Sequence, residues 1–198
     1  MSMTKFSHAL VAASLTFALP LAISPADAAG KHDGGHGHGT KIDIGKPGKA
    51  AKASRTVRIE MHDNFYKPKK LRVQAGETVR FVVKNVGEFV HEFNIATAKM
   101  HVAHQAEMMM MVEQGVLQPD RIDLDAAKKM QATMGHGMHD DPNSVLLEPG
   151  KSGEIVWTFP AKTQLQFACN VPGHYEAGMQ GEIKLKPKPK RGSAKVNN

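Results

Sequence analysis

The sequence predicts an all-β fold, an antiparallel sandwich that carries one long insertion. About seven or eight short segments alternate apolar and polar residues, which is the pattern of half-buried strands. Turn signals rich in Gly, Pro and Asn separate these segments, as in most sandwiches. One connection, at about residues 97–143, is much longer than the usual link between strands and is expected to carry structure of its own.

The N-terminal residues are predicted to be a secretory signal peptide, assigned to residues 1–28. Lys5 supplies a positive start, residues 9–23 are almost wholly apolar, and a small-x-small pattern predicts cleavage after Ala28 or Ala29. A membrane anchor is the alternative, but Ser, Thr and Pro interrupt the apolar run, which is short for a span. We therefore expect an exported protein, in a bacterial periplasm, with no membrane insertion after cleavage.

A second extension, residues 29–54, is rich in Gly, Lys and His and is predicted to be disordered. Its histidines, His32, His36 and His38, form a short tract of the kind that binds metal weakly. The alternative is a soluble linker without a fixed role. A basic tail, residues 187–198, is also predicted to be disordered. The net charge of +7 could indicate nucleic acid, but export, 6% aromatic residues and the lack of a recognisable motif argue against such a partner.

The predicted folded domain spans residues 55–186. The strands before the insertion are predicted at residues 56–61, 71–73, 78–83 and 90–95. In the last of these, alternation places His91 on the same face as Phe93 and Ile95. A histidine buried among apolar side chains needs a hydrogen-bond partner or a metal.

The strands after the insertion are predicted at residues 146–147, 153–159, 164–169 and 181–186. In the third of these, Cys169 faces inward with Leu165 and Phe167, at the end of its strand. Cys169 is the single cysteine of the chain, so it has no disulfide partner within it. In an exported protein such a cysteine pairs between chains, reacts or binds a metal.

The residues after Cys169 favour a metal. His174 and Met179 follow on the same loop, and the Pro and Gly residues between them let the backbone curl. Thiolate, imidazole and thioether are donors that suit copper. His91, on its separate strand, is the best candidate for the fourth donor of a His2Cys site with a weak axial Met.

The run Cys-Asn-Val-Pro-Gly-His at 169–174, followed by Gly-Met at 178–179 and preceded by His91 on a strand, resembles the cupredoxins. These are the blue, or type 1, copper proteins, and the resemblance covers roughly residues 55–97 and 145–186. It implies a Greek-key sandwich and one copper ion per chain for electron transfer, held by His91, Cys169, His174 and Met179. Asn170 is expected to hydrogen-bond the sulfur or to fix the loop.

The insertion, about residues 97–143, is predicted to hold two helices, at about 102–116 and 124–134, with Asp123 or Asp125 as the cap of the second. It contains eight of the twelve methionines. Two interpretations stay open, because Met packs well as an apolar helix face and also suits a second copper site for Cu(I). The possible accessory copper-binding residues here are His101, His104, Met108, Met111, Met134, His136, Met138 and His139.

The donor-rich arm, the insertion and the basic tail together resemble the exported cupredoxin-like copper-tolerance proteins of bacteria. We therefore expect a periplasmic copper protein acting in copper tolerance, with copper ions and an unidentified redox or copper-transfer protein as partners. The first alternative is a one-electron carrier to a respiratory or other redox enzyme. A cuprous oxidase is a third possibility, disfavoured because a four-ligand site leaves no clear open position; the protein is otherwise not expected to be an enzyme.

Overall fold

The computed structural model describes residues 42–135 and 141–188 of the 198-residue chain. In these ranges a short 3-10 helix, Ala50–Lys52, precedes most of the strands. The two α-helices are α1 (Ala98–Glu113) and α2 (Leu124–Met134). The strands are β1 (Lys46–Pro47), β2 (Arg55–His62), β3 (Phe65–Lys67), β4 (Lys70–Gln74), β5 (Thr78–Asn85), β6 (His91–Ala96), β7 (Ser144–Leu147), β8 (Ser152–Thr158), β9 (Leu165–Ala168) and β10 (Gln180–Lys186).

The strands form two five-stranded sheets, which confirms the predicted β-sandwich with a helical insertion. The first sheet has the order β1-β8-β5-β2-β3 and the second the order β4-β10-β9-β6-β7. The sheets are mixed rather than purely antiparallel, because β2 pairs with β5 and β4 with β10 in parallel. The chain leaves the first sheet after β3, contributes β4 to the second sheet and then returns as β5, in the same direction as β2.

The inner faces of the two sheets meet in one aromatic-rich core. Tyr66 stands edge-on to Phe167, with ring centroids 5.0 Å apart, and Phe93 and Phe81 pack beside them. Phe81, Phe93 and Phe167 occupy inward-facing positions of their strands, as the sequence pattern predicts, whereas Tyr66 lies on β3, a strand that was not predicted. Edge-to-face pairs of this kind add about 0.5–1.5 kcal/mol beyond the burial of their area. The core therefore holds both sheets in fixed relation, including the strand that carries His91 and the strand that leads into Cys169.

Strand β6 is buried along its whole length, unlike the half-buried strand that the alternation predicts. His91, Phe93 and Ile95 face the core, as expected, but Glu92 and Asn94 on the opposite face are buried too. Helix α1 lies over that second face, since His104 on α1 contacts the Glu92 carboxylate. The insertion thus buries the outer face of β6.

The helices of the insertion follow the prediction with one shift. Helix α1 begins at Ala98 rather than near Val102, because Thr97 caps it by accepting a hydrogen bond from the Met100 amide (3.3 Å). Helix α2 spans the predicted residues, and Asp123 caps its N-terminus. A second apolar cluster fixes both helices to the sandwich; its buried members are Val90, Met108, Met111, Val116, Leu117 and Met130.

The predicted disorder of residues 29–54 is wrong for their last part, because the folded domain already begins at residue 42. β1 pairs with β8 and forms the edge of the first sheet, and the Trp157 indole N–H donates to the Ile44 carbonyl (3.0 Å). Open backbone groups on an edge strand can bind a segment that has few apolar side chains, which composition does not reveal. Residues 29–41, the predicted signal peptide and residues 189–198 of the tail lie outside the described residues.

No helix within residues 42–135 and 141–188 is both long and apolar enough to cross a membrane.

Candidate metal centre

Three donor side chains meet at one end of the sandwich. His91 Nδ1, Cys169 Sγ and His174 Nδ1 all lie within 4.8 Å of one another. The two imidazole nitrogens are 3.2 Å apart, and the sulfur is 4.0 Å from that of His91 and 3.4 Å from that of His174. His91 comes from β6, whereas Cys169 and His174 come from the loop after β9. The core that joins β6 to β9 therefore brings the donors together.

The loop from Cys169 to Met179 is a series of tight turns. The amides of His174, Ala177 and Gly178 donate to carbonyls three or four residues earlier, at 3.0 Å each. Gly173 and Gly178 adopt φ values of 84° and 94°, which side chains other than Gly rarely accept. These two glycines let the chain reverse twice, so that His174 returns toward the cysteine.

Met179, the predicted axial ligand, is fully buried and belongs to the same apolar core as Cys169. Its carbonyl accepts a hydrogen bond from the Cys169 amide (3.1 Å), and its amide donates to the His174 carbonyl (2.9 Å). The backbone of Met179 is thus tied to both other residues of the loop. The loop closes on itself as one hydrogen-bonded unit that carries three of the four predicted donors.

Asp63 holds the outer nitrogen of His91. The His91 ring is completely buried, and its Nε2 lies 2.9 Å from Asp63 Oδ1. A carboxylate only accepts hydrogen bonds, so Nε2 carries the proton and Nδ1 presents its lone pair toward Cys169 and His174. The imidazole is therefore in the tautomer that a metal ligand needs.

Glu92, the residue after His91, forms a buried polar network under the site. Its backbone amide donates to Cys169 Sγ (3.3 Å). Its carboxylate, only 3% exposed, accepts from Asn170 Nδ2 (2.7 Å), from the Asn170 amide (3.2 Å) and from His104 Nε2 (3.2 Å). Ser144 Oγ and Asn94 Nδ2 also donate to it. The buried Glu92 carboxylate thus joins Asn170, the residue after Cys169, to His104 on helix α1 of the insertion.

Asn170 was expected to hydrogen-bond the Cys169 sulfur or to fix the loop. Its side-chain contacts fix the loop. Its side-chain nitrogen donates to Glu92, and its oxygen lies 3.2 Å from Nδ1 of the buried His101. The sulfur instead receives the backbone N–H of Glu92. Helix α1 therefore reaches the site twice, through His101 to Asn170 and through His104 to Glu92.

The environment keeps the two imidazole donors neutral and the thiol protonated before a metal binds. Burial lowers the pKa of His174 to about 4 and also lowers the pKa of His91, against the opposing effect of Asp63. Burial raises the pKa of Cys169 to about 12. Neutral imidazoles can donate lone pairs at once, whereas the thiol must release its proton to a binding metal.

The donor set suits copper. Separations of 3.2 to 4.0 Å place three atoms where each can lie about 2.0–2.3 Å from one centre. Two imidazoles and one thiol, with a buried thioether on the same loop, are the donor types that are typical of a His2Cys copper site. The same loop has no carboxylate among these donors, which disfavours hard cations.

The predicted accessory copper residues on α1 are used for packing and hydrogen bonding. Met108 and Met111 are buried in the second apolar cluster, and His101 bonds Asn170. His104 donates from both nitrogens, to Glu92 and to Glu107 (2.8 Å), so it has no free lone pair for a metal. Met134 is 41% exposed at the end of α2. His32, His36, His38, His136, Met138 and His139 lie outside the described residues.

Three residues that support the site were not predicted from the sequence. Asp63 is a polar turn residue 28 positions before His91, and nothing in its neighbourhood singles it out. Glu92 falls at an outward-facing position of its strand, which predicts a solvated carboxylate. Asn85 is buried and donates to the carbonyls of Phe89 (2.7 Å) and Leu147 (2.8 Å), which fixes the loop before His91.

Residues 42–103 match the family model of the cupredoxin-like domain. The match covers less than half of the chain, and the two-sheet sandwich and the His-Cys-His centre agree with it. Reduced auracyanin from Roseiflexus castenholzii, a solved structure, aligns at 24% identity over 68% of this chain and 99% of that one, with a TM-score of 0.47.

Two curated relatives identify a narrower family. The copper-resistant cuproprotein CopI of Pseudomonas aeruginosa is 49% identical over 154 residues, 73% of this chain and 83% of the relative. CopI of Rubrivivax gelatinosus is 42% identical over 153 residues, 77% of this chain and 79% of the relative. The chain belongs to the CopI family of copper-resistant cuproproteins.

Proposed function

We propose that this protein binds one copper ion in a type 1 site and acts in copper tolerance. His91, Cys169, His174 and Met179 would hold the ion. The observation that carries the proposal is the convergence of two imidazole nitrogens and the single thiol within 4.8 Å. His91 comes from β6, and Cys169 and His174 come from a loop closed by Met179. The two CopI relatives are copper-resistant cuproproteins, which supports the biological role.

The residues of the site act together to receive the metal. His91 and His174 present neutral nitrogens at pH 7, and Cys169 gives up its proton on binding. The Glu92 amide stays directed at the sulfur and stabilises the thiolate charge. When bound, copper supplies a one-electron Cu(I)/Cu(II) couple. The closed loop and the core would hold these residues in place in both oxidation states, which would favour rapid electron exchange.

His174 offers the route for that exchange. Its ring is partly exposed, whereas that of His91 is completely buried. The exposed Phe89 lies beside it, with ring centroids 6.4 Å apart. A redox partner can therefore approach His174 at an apolar edge without disturbing the core.

We also propose that the protein is exported to the periplasm after cleavage at Ala28 or Ala29. The support is the N-terminal apolar run with its small-x-small end. N-terminal sequencing of the protein recovered from the periplasmic fraction tests this location. A mature chain that begins at Ala29 or Gly30 is the expected result, and an uncleaved chain in the cytoplasmic fraction would contradict it.

Growth on raised copper tests the biological role. A deletion strain should grow poorly there, and the wild-type chain should restore growth. Cys169→Ala should fail to restore it, whereas Met109→Leu, a change at an exposed methionine of α1, should succeed as a matched control. Normal growth of the deletion strain, with loss of one respiratory activity in low copper, would support the electron-carrier alternative.

A further inference from the structure

The carboxylate of Asp63 is built into the wall of the proposed copper site. One oxygen lies 2.9 Å from His91 Nε2. The backbone amides of Glu88 (3.0 Å) and Phe89 (3.4 Å) donate to the same oxygen. Three N–H groups thus surround one oxygen of the carboxylate, which is the environment of an acceptor-only, ionised group.

The space for this contact depends on Gly87. A Cβ at that position would collide with Asp63 Oδ1 and would lie 3.0 Å from His91 Nε2. The Gly87 amide is itself fixed by Asn85 Oδ1 (3.0 Å). Residues 85–89 therefore hold the Asp63 carboxylate against Nε2 of the His91 ring. They leave no room for a side chain at position 87 between the carboxylate and the ring.

We propose that Asp63 is a positioning residue that fixes the tautomer and orientation of His91, and whose negative charge favours Cu(II) over Cu(I). The inference rests on the proposed copper site, because it concerns how that site is tuned. Hydrogen-bond partners behind metal-bound histidines act in this way in general, and losing one commonly costs 10- to 100-fold in metal affinity.

The sign of the charge effect follows from the ligands. With neutral imidazoles and a Cys169 thiolate, the centre carries a net positive charge with Cu(II) and none with Cu(I). An anion one imidazole ring away attracts the charged form more strongly, so it favours the oxidised state. Asp63 is 33% exposed on its side chain, so water weakens this attraction without abolishing it.

Two variants separate orientation from charge. Asp63→Asn keeps an oxygen that can accept from His91 Nε2 and removes the charge, whereas Asp63→Ala removes both. Gly87→Ala leaves the carboxylate in the chain but pushes it from the ring. Glu88→Gln is the matched control, because this exposed side chain belongs to the same loop and only its backbone amide contacts Asp63.

The first measurement is the ¹⁵N NMR spectrum of the histidine rings in the metal-free protein. Wild type and Asp63→Asn should show His91 as a single Nε2–H tautomer. Asp63→Ala and Gly87→Ala should show a mixture of the two tautomers. A single Nε2–H tautomer in Asp63→Ala would overturn the positioning role, and this result does not depend on copper.

The second measurement is the reduction potential of the copper-loaded variants. Asp63→Asn should lower the preference for Cu(II) over Cu(I) about tenfold, which is a rise of about 59 mV for a one-electron couple. Glu88→Gln should change the preference less than about twofold. Equal shifts in the two variants would overturn the charge effect. Failure of wild type to take up copper would instead refute the proposed function.

Discussion

Replacing Glu92 with alanine should destabilise the metal-free protein by about 3–5 kcal/mol, the typical cost of removing one partner of a buried ion pair. The Glu92 carboxylate is 3% exposed and accepts hydrogen bonds from four other residues. Its removal leaves the donors of Asn170 and Asn94 buried without their acceptor. Each unsatisfied buried group costs about 1–3 kcal/mol, which independently supports a loss of this size.

Because Glu92 is paired with the titratable His104, the stability that this pair contributes should depend on pH. Burial alone would lower the pKa of His104, but the hydrogen bonds and charges of Glu92 and Glu107 outweigh burial and raise it to about 9. In the unfolded chain this pKa is about 6.5. Because the folded value is higher, the stabilisation is complete below about pH 6.5 and is lost as the pH rises through 9. The difference corresponds to about 3 kcal/mol.

Urea unfolding of the metal-free protein between pH 6 and 10 is the assay. Wild type should lose most of that stabilisation across the alkaline range. Glu92→Ala should be less stable at pH 6 and should lose less stability as the pH rises, with a remaining loss from the buried Cys169 thiol, whose pKa is raised to about 12. Glu60→Ala, which removes a half-exposed carboxylate on β2, is the matched control and should keep the wild-type profile. A loss below about 1 kcal/mol in Glu92→Ala, or an unchanged alkaline slope, would refute the reasoning.

Three further predictions concern the core, the N-terminal segment and the thiol. Gly181→Ala should cost about 1–3 kcal/mol in urea unfolding, because its methyl group would overlap the Phe167 ring; an unchanged midpoint would contradict this. Deleting residues 42–53 should cost about 1–3 kcal/mol, because the indole of Trp157 loses its hydrogen-bond acceptor. The deletion should also shift the fluorescence of Trp157, the only tryptophan. A chain that starts at residue 42 is the control and should match wild type in both measurements. Burial raises the pKa of Cys169 to about 12, so iodoacetamide should alkylate the folded metal-free thiol at least about 100-fold more slowly than the urea-unfolded thiol, and equal rates would contradict this.

The sequence predicted the parts of the fold that depend on local periodicity. Alternation placed the core-facing residues of β2, β5 and β6 correctly, because one face of each strand packs against the opposite sheet. The capping residue Asp123 located the start of α2 for a similarly local reason. The residue order around Cys169 also suggested which side chains would converge, since a tight loop confines them to a small volume.

The features that the sequence did not predict depend on long-range contacts. Glu92 reads as solvent-facing from alternation, yet it is buried because α1, several residues later in the chain, covers it. Asp63 acquires its role only when the loop before His91 folds back onto a turn 28 residues earlier. β1 owes its order to backbone pairing with β8, which leaves no trace in side-chain composition.

The visible spectrum and copper content of the purified mature protein test the central claim most directly. A thiolate bound to Cu(II) in a His2Cys site is the expected source of an intense visible band. We predict that band at one copper per chain in the wild type, and its loss in Cys169→Ala. A wild-type protein that binds copper without the band, or a band that persists in Cys169→Ala, would contradict the type 1 site.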